Sequence, residues 1–350
     1  PLRPSGGGVP GYLREYGQAA WRLRRLVRRL ARERHFDVVH AANPPDFLLA
    51  SAAELRREGT RLIFDHHDLV PELFRSRFGD RPGYGVALAG ERLAFSLADV
   101  VICTNDSYRQ VAIERGGRDP ADVFVVRNGP DLTRFTPVEP DPDLRRGRIH
   151  LLAYLGLMGP QDGIDDALRA LAWLRERRSD WHAAFVGNGE VLEDMKALAR
   201  QLGLADNIEF LGWRGDADIR RILSTADICL APDPPSPLND VSTMMKIPEY
   251  LAMGRPVVSS DLRESRISAG PAALYAAAST PEGFGRLISE LLDDPERRAK
   301  MGRAGLERAR SRLSWQMSAP ILRSAYERAL TRPRRARRTH RRWSNAGAAS

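Results

Sequence analysis

Between residues 149 and 312 six short, mainly apolar runs alternate with longer helix-like segments, and few architectures accept that rhythm. The runs are 149–155, 183–186, 208–211, 227–231, 256–259 and 272–275. They are too short for buried helices and read as strands covered on both faces. Strands separated by helices predict a parallel, doubly wound sheet with ligand loops beyond the strands' C-terminal ends. At 350 residues the chain exceeds one ordinary core, so two domains are expected.

The first third has a similar pattern. Tyr12 to His35 reads as a helix, with Leu23, Leu26, Val27 and Leu30 on one face and arginines on the other. Two readings of it stay open: a helix lying on an anionic membrane, or an Arg-rich cover for a sheet. Phe36–His40 reads as a strand leading into the loop Ala41–Asp46, and Phe47–Arg57 as the next helix. Arg61–Phe64 is a strand that ends in Asp65-His66-His67-Asp68. Two histidines between two aspartates could ligate a metal, but side chains that alternate at a strand end seldom converge on one ion. A helical Glu91–Leu97 follows, then strands at Asp99–Thr104 and Val123–Val126, and an Asn-Gly turn at Arg127–Asp131.

Ser236 to Ser260 is the densest stretch of the second domain. Prolines 234, 235 and 237 exclude regular structure, and Asn239, Asp240, Ser242 and Thr243 are capping types. Met244 to Met253 favours a helix that Gly254 stops, and Pro256-Val257-Val258 opens a buried strand. Glu249, inside that helix, can accept from two neighbouring hydroxyls at once, as a ribose diol would require. Two Gly-rich turns precede it, Gly156–Gly163 with Gly159 between, and Gly187-Asn188-Gly189-Glu190. Backbone N–H groups at such strand-to-helix turns attract phosphate.

At Glu249 with LAMGRPVVSS the chain resembles the retaining GT-B glycosyltransferases of family 4. The resemblance runs from about Tyr12 to Leu330 and implies two Rossmann-like domains with a cleft between them. It implies that Glu249 holds the nucleotide ribose, that the 156–163 loop and Gly187 face the phosphates, and that Arg214, after Trp213, lies near the base. His67 matches the family's active-site histidine, which contacts the donor sugar, while His40, Asn43 and Asp68 fall on the acceptor side. The family's first glutamate would sit at Val241, with Asp240 one residue away. Its usual basic pair around the Gly-rich loop is replaced by Leu157 and Asp162. Lys246 or Arg127 would then supply the positive charge, and Ser242 and Thr243 complete the donor contacts.

The expected layout is an incomplete first domain at 1–135, a linker at 136–148, and a nucleotide-sugar domain at 149–312. A crossover helix at 313–330 and a basic tail at 331–350 follow. The resemblance also places an opening strand, a Gly-rich loop and further strands before Pro1, roughly 60–80 residues. A chain lacking them is expected to bind nucleotide yet transfer little sugar.

The net charge of +9 is concentrated in Arg22–Arg34 and in residues 331–350. A global nucleic-acid surface is therefore not expected. Cys103 and Cys229 lie in apolar runs, so neither a disulfide framework nor a cysteine zinc site is suggested, as suits a reducing cytoplasm. The expected activity is transfer of a sugar from a UDP- or GDP-type nucleotide sugar to a glycan or lipid-linked acceptor hydroxyl, in polysaccharide synthesis. No metal or cofactor is implied, and the expected location is the cytoplasm, with peripheral association on the inner face of the plasma membrane left open. Two rivals are a noncatalytic nucleotide-sugar-binding descendant and a nucleotide-sugar epimerase on the same scaffold.

Overall fold

The computed structural model of the chain describes residues 9–81, 83–276 and 280–331. Two parallel sheets organise it. In the first domain β1 (Val38–Ala42), β2 (Arg61–His66), β3 (Val100–Cys103) and β4 (Val123–Val125) pair in sequence order. In the second, β5 (His150–Leu155), β6 (Trp181–Val186), β7 (Ile208–Gly212), β8 (Ile228–Ala231), β9 (Val257–Ser260) and β10 (Ala273–Ala276) adopt the order β10-β9-β8-β5-β6-β7. The order reverses between β8 and β5, which opens a crevice beyond their C-terminal ends. All six expected strands are present within two residues of their predicted bounds.

Apolar character on both strand faces drives this sheet. Leu152, Phe185 and Leu230 pack toward one helical layer, while Leu151, Ala184 and Cys229 pack toward the other. Full burial of a side chain such as Phe185 or Leu152 contributes about 1.5–3 kcal/mol. Trp181 and Tyr154 are also fully buried.

The first domain departs from expectation in its helices. Residues 91–97 are only the end of a longer helix, Gly83–Leu97, and a further helix, Val70–Phe78, follows β2 directly. Its apolar residues Leu73, Phe74 and Phe78 fall among charged ones, so the sequence pattern did not separate it from the preceding loop. The segment after β1 is a 3-10 helix, Asp46–Glu58, closed by Gly59 in the left-handed region. The helix Val9–Glu33 packs on it, and Arg28 holds Glu54 through two nitrogens. Val27 meets the core, whereas Trp21 and Leu26 stay exposed.

The chain ends its described course back on the first domain. Helix Trp315–Thr331 sets Ala325 and Ala329 against Ile63, Val100 and Ile102, forming that domain's second core. The crossing needs a glycine, because a Cβ at Gly129 would come 2.0 Å from the Leu313 carbonyl oxygen. The 136–148 segment is pinned to the second domain, where Val138 N–H donates to Ser224 (2.9 Å) and Asp141 N–H to Thr225 (2.8 Å). Residues 332–350, which carry the basic tail, lie outside the described residues.

Candidate active site

A cavity of about 360 Å³ opens between the domains. His67, Asp68, Tyr108 and Asn128 line it from the first domain, and Gln161, Asp162, Ser242 and Thr243 from the second. Both sheets direct their C-terminal strand ends toward it, so each wall is made of strand-to-helix loops.

On the first wall the polar groups are bound to one another. His67 lies just after β2, and its Nε2 meets Asp65 Oδ2 at 3.0 Å. The same Asp65 oxygen meets His40 Nε2 at 2.9 Å, and His40 Nδ1 meets the Tyr326 hydroxyl at 2.8 Å. The pairing with Asp65 raises the His67 pKa. Burial alone would raise Asp65, but hydrogen bonds from His40 and His67 bring it down to about 2. With Nε2 directed at Asp65, Nδ1 is left for the cleft, where the Asn128 side-chain amide donates to it at 3.3 Å. This geometry fixes the direction of the ring, and a ligand group at Nδ1 would take the place of the Asn128 amide.

His40 therefore sits behind His67, with both ring nitrogens engaged, and does not line the cavity. Asn43 is a brace as well. It accepts from the N–H groups of His67 (2.7 Å) and Asp68 (3.1 Å) and donates to Asp46 (2.6 Å) and the Asp68 carbonyl (2.7 Å). Asp68 lines the cavity, and burial raises its pKa. His66 points the other way, fully buried among Phe64, Phe95 and Tyr108 with Glu91 at 3.5 Å, as alternation along β2 requires. Among the described residues no group of three or more His, Cys, Asp or Glu side chains is arranged to hold a metal ion.

The second wall is built by close backbone approach. Gly187 has φ +137°, and a Cβ there would lie 1.8 Å from the Gly156 carbonyl oxygen. Gly163, in the left-handed region, would meet the Pro232 carbonyl oxygen at 2.3 Å. The loops after β5, β6 and β8 thus interlock, with Gly156 N–H bonded to Val186 and Gly187 N–H to Gly212. Gly159 N–H donates to the Asp162 carboxylate (2.9 Å), which closes the turn.

Charge on this wall differs from the expectation in one respect. Lys246 is buried, with Nζ 2.6 Å from Asp233 and 3.8 Å from Asp162. Burial opposes its charge, but Asp233, Tyr154 and Asp162 outweigh that and raise its pKa. Two carboxylates against one ammonium leave no surplus positive charge from Lys246. Arg127 is likewise occupied, 3.3 Å from Asp106 and 3.7 Å from Glu264. Arg214 differs: its guanidinium donates to the Trp213 carbonyl (3.1 Å) and has no carboxylate partner among the described residues. Trp213 beside it is 74% exposed and Leu157 71%, so two large apolar groups stand open at the strand ends.

Glu249 occupies the first turn of the helix Lys246–Ala252. Its carboxylate makes no hydrogen bond or ion pair among the described residues and does not line the cavity, and burial pushes its pKa up to about 7 against the pull of Arg134. The Asp240-to-Thr243 loop is spent otherwise. Asp240 accepts from Arg263 N–H (2.9 Å), Ser242 meets the Tyr108 hydroxyl (3.1 Å), and Asn105 donates to Val241 O (2.9 Å) and Thr243 Oγ1 (3.0 Å). This loop clasps the domains together. Asn105, Tyr108, Asn128 and Asp233 depend on partners distant in sequence, and Asp65 reads in the sequence only as part of a metal pattern although it holds His67 two residues on.

Comparison with known proteins now bears on this arrangement. Residues 2–134 match the family described as Glycosyltransferase Family 4, and residues 149–294 match Glycosyl transferases group 1. The chain carries the two domains of a GT-B glycosyltransferase. Among curated proteins it is 26% identical over 324 residues to a D-inositol 3-phosphate glycosyltransferase of Salinispora tropica, covering 86% of this chain and 65% of that one. It is 29% identical over 316 residues to another from Catenulispora acidiphila, covering 85% and 71%. The chain thus spans about two thirds of the length of these relatives. Among solved structures, sucrose-phosphate synthase from Thermosynechococcus elongatus superposes with a TM-score of 0.72 at 18% identity, covering 88% and 78%. Anabaena HepE in complex with UDP gives 0.68 at 19% identity, covering 89% and 83%. The two structural likenesses support the fold.

Proposed function

We propose that this GT-B glycosyltransferase transfers a sugar from a nucleotide-sugar donor to an acceptor hydroxyl with retention at the anomeric carbon, in cell-surface glycan or polysaccharide synthesis. The single observation that carries the reading is an oriented His67 facing Gln161 and Asp162 of the 156–163 turn across one cavity. Glu249 would accept from the ribose hydroxyls, the 156–163 and 187–190 turns would present N–H groups to the phosphates, and Arg214 with Trp213 would meet the base side. His67, held by Asp65, would contact the donor sugar through Nδ1. Backbone dipoles and a cation then stabilise the departing diphosphate, as electrostatic catalysis requires. A UDP- or GDP-type donor suits this wall, and HepE, a structural neighbour, is solved with UDP-glucose.

The test is incubation with UDP-, GDP- and ADP-sugars, with and without glycan acceptors, and NMR assignment of the product anomer. Transfer with retained configuration supports the reading; an inverted product, or failure to bind any of these donors, contradicts it. One observation favours the second reading, a nucleotide-sugar-binding protein without turnover: the charges of Lys246 and Arg127 are taken by carboxylates.

Attachment to an anionic membrane face through the Arg-rich helix is a further part of the proposal. No helix among the described residues is long and apolar enough to cross a membrane. Arg24 and Arg28 face Glu54, so the charge available for lipid comes from the remaining arginines of that helix. Vesicle flotation that falls with salt would support it.

A further inference from the structure

Beside the cleft, on the first domain, a second cavity of about 190 Å³ has a different character. Pro45, Phe47, Val70, Phe74, Phe78 and Val86 supply its walls, and Asp46 and Arg77 are its charged members. Leu73 lines this cavity and the cleft alike, so the two adjoin along the start of the helix Val70–Phe78. The chain from His67 to Val70 runs from one into the other.

Asp46 gives the pocket a directional feature. One carboxyl oxygen takes the Asn43 amide at 2.6 Å, and the other is buried without a hydrogen-bond partner. The residue is 3% exposed, and a buried polar atom left so calls for a donor from outside. Asn43 is the side chain that also fixes the backbone of His67 and Asp68, so a group bound at Asp46 sits one residue from the site's own brace. Arg77 at the rim reaches Glu190 of the second domain at 3.5 Å, which sets the pocket's mouth against the 187–190 turn.

We propose that this pocket holds the alkyl chain of an amphiphilic acceptor whose hydroxyl-bearing head lies in the cleft, with a donor group at the neck of the chain facing Asp46. The proposal rests on the glycosyltransferase reading and adds the acceptor's chemical class. An unbranched polar glycan could donate to Asp46 but would gain nothing from these six apolar walls. A chain entering beyond Leu73 is desolvated along its length.

The test uses methyl, butyl, hexyl and octyl β-glucosides below their micellar concentrations, titrated calorimetrically into the full chain, with UDP-glucose titrated in parallel. Affinity is expected to rise by up to about fourfold for each methylene that is fully buried, until the pocket is filled. Val86→Trp and Ala87→Phe, at the pocket wall, should flatten the series while UDP-glucose affinity stays unchanged. A flat series in the unsubstituted protein would overturn the proposal. So would a steep series that both variants retain, or loss of a dimer in Val86→Trp, which would assign the pocket to a second copy. Failure of UDP-glucose binding with the alkyl series intact would instead count against the donor reading.

Discussion

On the first domain's side of the cleft, His67, Asp65, His40, Asn43 and Tyr326 bind one another. On the second domain's side, Glu249, Arg214, Trp213 and the glycine turns are left with open valences. The first wall is preorganised by side chains, so its groups keep fixed directions before anything binds. The second is shaped by backbone contact, and its free donors and acceptors await a ligand. A catalyst needs both properties, since orientation serves the reacting atoms and unsatisfied groups supply binding.

That contrast can be broken from either side. The largest effect is expected below the second wall. Lys246→Met leaves Asp233 buried without its cation and should destabilise the protein by about 3–5 kcal/mol in urea unfolding. Gly187→Ala should follow at roughly 2–4 kcal/mol, since the new Cβ meets a backbone oxygen rather than a flexible side chain. It should also depress UDP-glucose affinity, because the two turns can no longer interlock.

On the first wall the damage should be kinetic. Asp65→Asn should reduce turnover by about 10–100-fold while donor affinity changes less than about twofold. The His67 pKa, followed by NMR, should fall in that variant, because Asp65 is the principal cause of its rise. The pair also predicts a pH window. Asp65 is depressed to about 2, so its share of stability is present above its unfolded value near 4 and lost as pH drops through about 2. His67 is raised, so its share is complete below about 6.5 and lost as pH rises through its folded value. The stability difference between wild type and Asp65→Asn should therefore be widest between about pH 4 and 6.5.

Much of the second domain was legible because its strands are short apolar runs set off by helix-like segments, a local signal. Glu249 and the turns at 156–163 and 187–190 could be picked out for the same reason. The first domain was harder to read: Val70–Phe78 mixes apolar and charged residues and gains its helix from packing against the helix Gly83–Leu97. The clasp at Asn105, Tyr108 and Ser107 joins residues more than a hundred positions apart, and nothing near them in sequence announces it. Lys246 was seen as a cation, but its neutralisation by Asp233 depends on β8 and the following helix meeting in space.

The central claim is that Glu249 is held ready, unpaired and partly protonated near neutrality, for the ribose hydroxyls of a nucleotide sugar. UDP-glucose affinity measured between about pH 8 and 6, for the wild type and for Glu249→Gln, tests it most directly. The carboxylate offers a charged oxygen to each hydroxyl, which neither the amide nor the protonated acid does, and a group titrating at about 7 is roughly nine-tenths protonated one pH unit lower. Wild-type affinity should fall by up to about tenfold across that range, with Glu249→Gln weaker at the upper end and flat throughout. Equal affinity and the same pH dependence in both proteins would contradict the account.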